Sequence, residues 1–260
     1  MFNPVLITTP RTGSSLVCQL LGDIARHTSD YKNDLQEFYT IEPGYEAVYE
    51  EATVFNEKII VVKSYKEVEP KPLWYGNASN IDPMMRARSD MLVGNQHRYM
   101  IKLFAGMVGI NHVRAAIFPR YEPVYLERRN LMQQFLSWMY LSNPKAQFHY
   151  QQGQTAPVKQ IYFNYRLFNQ FKNNLLTYEA IKKKYPGPVI FYEDVMQLGG
   201  NCQAVAALLN ISCEGVKSSV VKTVNTPYTV PIEQMLLRNW KWDMYKNEVE
   251  DFFNNYRSTT

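Results

Sequence analysis

The chain has 260 residues, 46% hydrophobic and 20% charged, enough to bury one large α/β core or two small ones. A formal net charge of +4 is too weak for the basic stripe of a general nucleic-acid binder, and it suits a small polyanion held in a local basic pocket. Cys18, Cys202 and Cys213 are widely spaced, with no CxxC and no Cys/His grouping at ligand spacing, so reduced thiols in a cytoplasmic setting and no bound metal are expected.

Residues 1–9 are apolar but short and carry no basic leader, so no signal peptide is expected. No apolar run approaches the ~20 residues of a membrane span. Pro4-Val5-Leu6-Ile7-Thr8-Thr9 predicts a short buried strand. Pro10-Arg11-Thr12-Gly13 predicts a turn, and Ser14 and Ser15 open a helix that runs through Leu16 to Leu21. Strand, glycine turn and helix begin a βαβ unit.

Leu35 to Tyr39 predicts a second short strand, and Lys58 to Val62 either an edge strand or part of an insertion. Residues 66–84, punctuated by Pro70, Pro72, Gly76 and Pro83, predict an irregular segment. Strands follow at Arg98–Phe104 and Pro123–Arg128, then a helix over Asn130–Tyr140. Residues 142–157 read as a loop or lid and 158–184 as a long helix stopped by Pro186-Gly187-Pro188. Val189–Tyr192 predicts a last buried strand, and helices near 199–209 and 231–256 close the chain. Alternating strands and helices predict one α/β domain over 1–260, with a central parallel sheet flanked by helices.

A turn between a strand's carboxyl end and a helix's amino end offers unpaired N–H groups and the positive end of the helix dipole to an anion. In Pro10–Ser15, Gly13 permits the tight turn, Thr12, Ser14 and Ser15 add hydroxyls, and Arg11 adds a forked cation suited to phosphate or sulfate. The same residues also make an ordinary turn with a serine N-cap. No Lys follows the Gly, so the GxxxxGK[ST] loop of nucleoside-triphosphate enzymes is absent.

A second strand ends on Arg128 and Arg129. Asn130 can cap the next helix, and Ser137, seven residues on, returns to nearly the same face. Arg129 and Ser137 can converge on one phosphate, or stand as a surface arginine and an ordinary helical serine. Two anion clamps at the carboxyl ends of parallel strands suit a ligand with two separated anionic groups.

Thr9-Pro10-Arg11-Thr12-Gly13-Ser14-Ser15-Leu16 resembles the 5′-phosphosulfate loop of sulfotransferases that use 3′-phosphoadenosine 5′-phosphosulfate (PAPS). Glu127 to Ser137 resembles their 3′-phosphate motif, in which Arg and Ser stand eight apart, selecting Arg129 over Arg128. Phe191-Tyr192-Glu193-Asp194-Val195 is similar to the family's late strand ending in Tyr-Glu-Asp. Gln36-Glu37-Phe38 is similar to the segment that carries the catalytic Glu in the bacterial branch that sulfates trehalose.

The resemblance implies a three-layer P-loop-type fold, PAPS as co-substrate and no metal. It implies a sugar or other small alcohol, free or on a glycan, as acceptor, and neither a nucleic-acid partner nor a membrane. It implies donor contacts from Arg11, Thr12, Gly13, Ser14, Ser15, Leu16, Arg129 and Ser137, and Glu37 as general base. Arg11 would stabilise charge on the sulfuryl group. Lys102, in an apolar strand, either turns from the strand end into the site, as similar bacterial enzymes suggest, or snorkels to solvent. Residues 66–84 and 142–157 match no family motif and are candidates for acceptor-contacting insertions. The family's later Arg-Lys-Gly adenine-side motif is absent. The competing readings are a nucleotide or small-molecule kinase of the same fold and a non-catalytic module that binds adenosine bisphosphate.

Overall fold

The computed structural model describes residues 3–28, 31–35, 38–39, 45–67, 78–141, 161–220, 236–237 and 240–258. Strand β1, Pro4–Thr8, is buried along its whole length, as a run of Val5, Leu6 and Ile7 between covered faces requires. It leads into helix α1, Ser14–Thr28. Val17, Leu20, Leu21, Ile24 and Ala25 are fully buried at helical spacing and form the face that packs on the sheet.

β2, Tyr31–Asp34, is followed by a hairpin of β3, Tyr45–Val54, and β4, Glu57–Glu67. Next come α2, Ala78–Gly94, then β5, Arg98–Met100, and β6, Lys102–Phe104. Short helices α3, Ala105–Val108, and α4, Asn111–Ile117, precede β7, Glu122–Glu127, and α5, Leu131–Leu141. Beyond them lie β8, Ile161–Tyr162, α6, Tyr165–Lys184, β9, Val189–Phe191, and α7, Tyr192–Gln197. The last elements are α8, Cys202–Leu209, β10, Leu236–Leu237, and α9, Trp240–Ser258.

The central sheet has four parallel strands in the order β6-β1-β7-β9. Thr8 stands opposite Phe104 on one side and Leu126 on the other, so the carboxyl ends of β6, β1 and β7 finish level. Only Ile101 separates β5 from β6, and its carbonyl accepts from Leu6 N at 3.0 Å. β2 pairs in parallel with β5 and so prolongs this edge. One core lies around the sheet, and a second, rich in aromatic rings, joins α5, α6 and α9 through Phe135, Phe168, Phe171, Trp242 and Phe253. Phe163, Phe168 and Phe171 are buried, whereas Tyr162 is 58% exposed.

Several expected elements shift. The second strand lies at Tyr31–Asp34, upstream of Leu35–Tyr39. Leu35 N still reaches Met100 O at 2.9 Å, but Phe38 and Tyr39 are buried in a turn, edge to face at 5.0 Å. Their apolar character reflects that packing and not strand alternation. Lys58–Val62 belongs to the β3–β4 hairpin, whose turn residues Phe55 and Asn56 both take left-handed φ (49° and 64°). The irregular segment 66–84 is strand to Glu67 and helix from Ala78, with Pro83 inside α2. The long helix begins at Tyr165, where the Asn164 side chain accepts from Leu167 N at 3.2 Å. Tyr192 opens α7 and does not end a strand. The segment 142–157 lies outside the described residues. Among the described residues no helix is long and apolar enough to cross a membrane.

Candidate functional site

The β1–α1 turn is held by its own threonines. Thr8 Oγ1 and Thr12 Oγ1 lie 2.6 Å apart, and Thr12 Oγ1 donates to Thr9 O at 3.1 Å. Thr12 is fully buried, so its hydroxyl closes the loop. Arg11 and Gly13 both take left-handed φ, 66° and 85°. Gly13 is required twice over: the conformation disfavours a side chain, and a Cβ there would lie 2.2 Å from Tyr192 Cε2. A non-glycine residue at left-handed φ, here Arg11, is a conformation that functional loops hold at some cost in strain.

Ser14 is buried at the start of α1, Ser15 beside it is exposed, and Leu16 turns into the core. Lys102, at the first position of β6, is only 3% exposed, and its Nζ lies 3.5 Å from Ser15 Oγ. Of the two readings of Lys102, the side chain therefore turns into the fold toward the loop. Helix α5 meets the loop from the other side. Arg11 Nε donates to Ser137 Oγ at 3.2 Å, and the buried Gln134 amide donates to Thr9 Oγ1 (2.8 Å) and Pro10 O (2.6 Å). A backbone carbonyl only accepts, so the contact with Pro10 O fixes which end of the amide is nitrogen.

The two arginines at the tip of β7 have different surroundings. Arg128, with a side chain 18% exposed, donates to Arg11 O (3.4 Å) and Gln133 Oε1 (3.3 Å) and lies against the Tyr192 ring and Glu193. Arg129 is 53% exposed. It forks onto Asp194, with Nη2 to Oδ2 at 2.6 Å, and its guanidinium covers the Phe191 ring at 4.2 Å. Asn130 caps α5 as expected, its Oδ1 accepting from Gln133 N at 2.9 Å. Glu127, next to the pair, holds Lys182 at 2.8 Å. Burial alone would lower the Lys182 pKa, but the bonds from Glu127 and Glu179 outweigh it and hold the ammonium above its ordinary value.

The site residues thus fall into two neighbouring groups. Arg11, Gly13, Ser15, Lys102 and Ser137 meet at the β1 tip, and Arg128 and Arg129 stand at the β7 tip. Ser137 is engaged by Arg11, and the Arg129 contacts run to Asp194. A cavity of about 310 Å³ lies at the β7 tip, lined by Arg128, Arg129, Tyr178 and Phe191 among others, and it reaches Thr9 and Gln134. Glu37, expected as the base, lies outside the described residues, as does Gln36. Among the described residues there is no cluster of three His, Cys, Asp or Glu side chains fit to hold a metal.

Three residues contribute in ways the sequence did not show. Gln134 carried a signal, being a polar side chain on the otherwise apolar face of α5. Glu193 and Asp194 were visible only as part of the late Tyr-Glu-Asp segment, and their arginine partners are more than sixty residues away in the chain. No model of a known protein family matches the chain, and no curated protein matches it.

Proposed function

We propose that the chain is a sulfotransferase on a three-layer P-loop-type fold, moving a sulfuryl group from PAPS to an acceptor hydroxyl on a sugar or other small alcohol. The observation that carries this reading is the set of cations on three adjacent parallel strands: Arg11 follows β1, Arg129 follows β7, and Lys102, which opens β6, brings its Nζ to Ser15 at the start of α1. A donor with a 5′-phosphosulfate and a separate 3′-phosphate needs two such anion sites. The β1 turn, with Gly13 and the first turn of α1, suits the phosphosulfate, and Arg129 suits the 3′-phosphate, while Ser137, expected to join it, is engaged by Arg11. The cavity beside Arg129 offers the rings of Tyr178, Phe191 and Tyr256 and the side chains of Leu131 and Leu175, together with polar groups, as a nucleoside site would.

In this reading the acceptor oxygen attacks sulfur in line and forms the new S–O bond. The bond from sulfur to the bisphosphate breaks, and adenosine 3′,5′-bisphosphate leaves. Glu37 takes the acceptor proton. Arg11 and Lys102 offset charge on the sulfuryl and leaving oxygens. A sulfuryl group carries less charge than a phosphoryl group, so the reading calls for no metal. It places the enzyme in the cytoplasm, with 66–84 and 142–157 as the segments that select the acceptor.

Thermal melting with and without nucleotide tests the reading. At a hundredfold excess over Kd, adenosine 3′,5′-bisphosphate without metal should raise Tm by roughly 5–10 °C. Stabilisation by ATP with magnesium alone would indicate a kinase. Labelled sulfate from PAPS should then appear on a hydroxyl acceptor, and bisphosphate binding with no transfer to any acceptor would indicate a non-catalytic module.

A further inference from the structure

We infer that Asp194 is a positioning residue that pre-organises Arg129 to receive the 3′-phosphate; this rests on the reading above. A guanidinium presents two forked edges, one formed by Nε and Nη2 and the other by Nη1 and Nη2. Asp194 takes the first edge: Nε donates to Oδ1 at 3.3 Å, and Nη2 to Oδ1 at 2.9 Å and Oδ2 at 2.6 Å. On the second edge Nη1 makes no bond to the carboxylate, so its N–H donors are available to grip a phosphate. An internal carboxylate bound side-on therefore does not compete with an anion bound end-on.

Two further contacts fix the same arginine. The Phe191 ring lies under the guanidinium plane at 4.2 Å, and Glu193 Oε2 accepts from Arg129 N at 3.0 Å, which holds the main chain. The segment Phe191 to Asp194 thus supplies a face, an edge and a backbone anchor to a side chain that is still 53% exposed. An exposed arginine without such support would have to be immobilised by its ligand. Held in place beforehand, it spares a binding cost equivalent to roughly 3- to 10-fold in affinity.

Two ligands separate this role from a general structural one. Calorimetric titration with adenosine 3′,5′-bisphosphate and with adenosine 5′-monophosphate, which lacks the 3′-phosphate, is done on wild type, Asp194→Ala, Asp194→Asn, Arg129→Ala and the double variant Arg129→Ala/Asp194→Ala. Asp194→Ala should weaken the bisphosphate about 3- to 10-fold and leave the monophosphate within about twofold, because only the 3′-phosphate uses Arg129. Asp194→Asn, which keeps one acceptor, should fall between. In the double variant Asp194→Ala should add nothing to Arg129→Ala. Equal or tighter bisphosphate binding by Asp194→Ala would overturn the inference, as would equal losses for both ligands or additive effects. A wild-type protein that binds the two nucleotides equally, or binds neither, would overturn the sulfotransferase reading and this inference with it.

Discussion

Replacing Gly13 with alanine puts a methyl group where the ring of Tyr192 already lies. The Cβ would stand 2.2 Å from Cε2 and 2.3 Å from Cδ2, well inside contact distance, so the ring must move. An L-residue at this left-handed φ costs about 1–2 kcal/mol, and forcing an extra carbon into a packed site typically costs about 1–3 kcal/mol. The expected loss is the sum, about 2–5 kcal/mol, or roughly 4–20 °C in Tm for a chain of this size. Urea and thermal melting of Gly13→Ala, Tyr192→Ala and the double variant measure it. Removing the ring relieves the clash but not the backbone strain, so the double variant should recover about 1–3 kcal/mol relative to additivity. If Gly13→Ala melted with wild type, or the two changes simply added, the tight approach of loop and ring would be refuted.

Gln134→Leu should cost about 1–3 kcal/mol, since it leaves the buried Thr9 and Pro10 acceptors without their donor, and it should also weaken bisphosphate binding; equal stability by urea titration would count against the contact. Glu37→Gln should lower sulfate transfer by ~10²–10⁴-fold with nucleotide affinity unchanged, and transfer at the wild-type rate would remove Glu37 from the chemistry. Titration with a chromogenic disulfide at neutral pH should find one fast thiol, Cys213, because Cys18 and Cys202 are buried and burial raises the Cys202 pKa; three fast thiols would refute the packing of α8 on α1.

What the sequence made legible follows from the range of the interactions. The β1 strand, its glycine turn and the opening of α1 are set within a few residues, and all three lie where periodicity and turn chemistry put them. The same holds for the β7 tip and its Asn130 cap. The β3–β4 hairpin was obscured because its turn is Phe55-Asn56, without the glycine that usually marks two left-handed residues in a row. Helix α2 was obscured by Pro83 within a polar stretch. The second strand was displaced because Phe38 and Tyr39 are apolar for tertiary reasons: Arg88 Nη1 donates to Phe38 O and Ser89 Oγ lies 3.1 Å from Tyr39 Oη. At the candidate site, residue types and order were readable, but the pairings were not. That Arg11 would reach Ser137, or Arg129 reach Asp194, depends on which strands become neighbours in the sheet.

The pairing of β7 with β9 gives the late segment its importance. Because the two strands are parallel and in register at Glu127 and Phe191, the residues after each emerge side by side. Phe191 and Asp194 then meet Arg129, while the Tyr192 ring lies between Gly13 and Arg128. Arg128 closes the loop of contacts by donating to the Arg11 carbonyl. The two groups of candidate residues are thus linked by contacts along the sheet edge. Both touch Tyr192 and Arg128. Coupling of this kind suits a ligand whose two anionic groups are joined by one rigid nucleoside, since the spacing of the clamps must then be held as firmly as the clamps themselves.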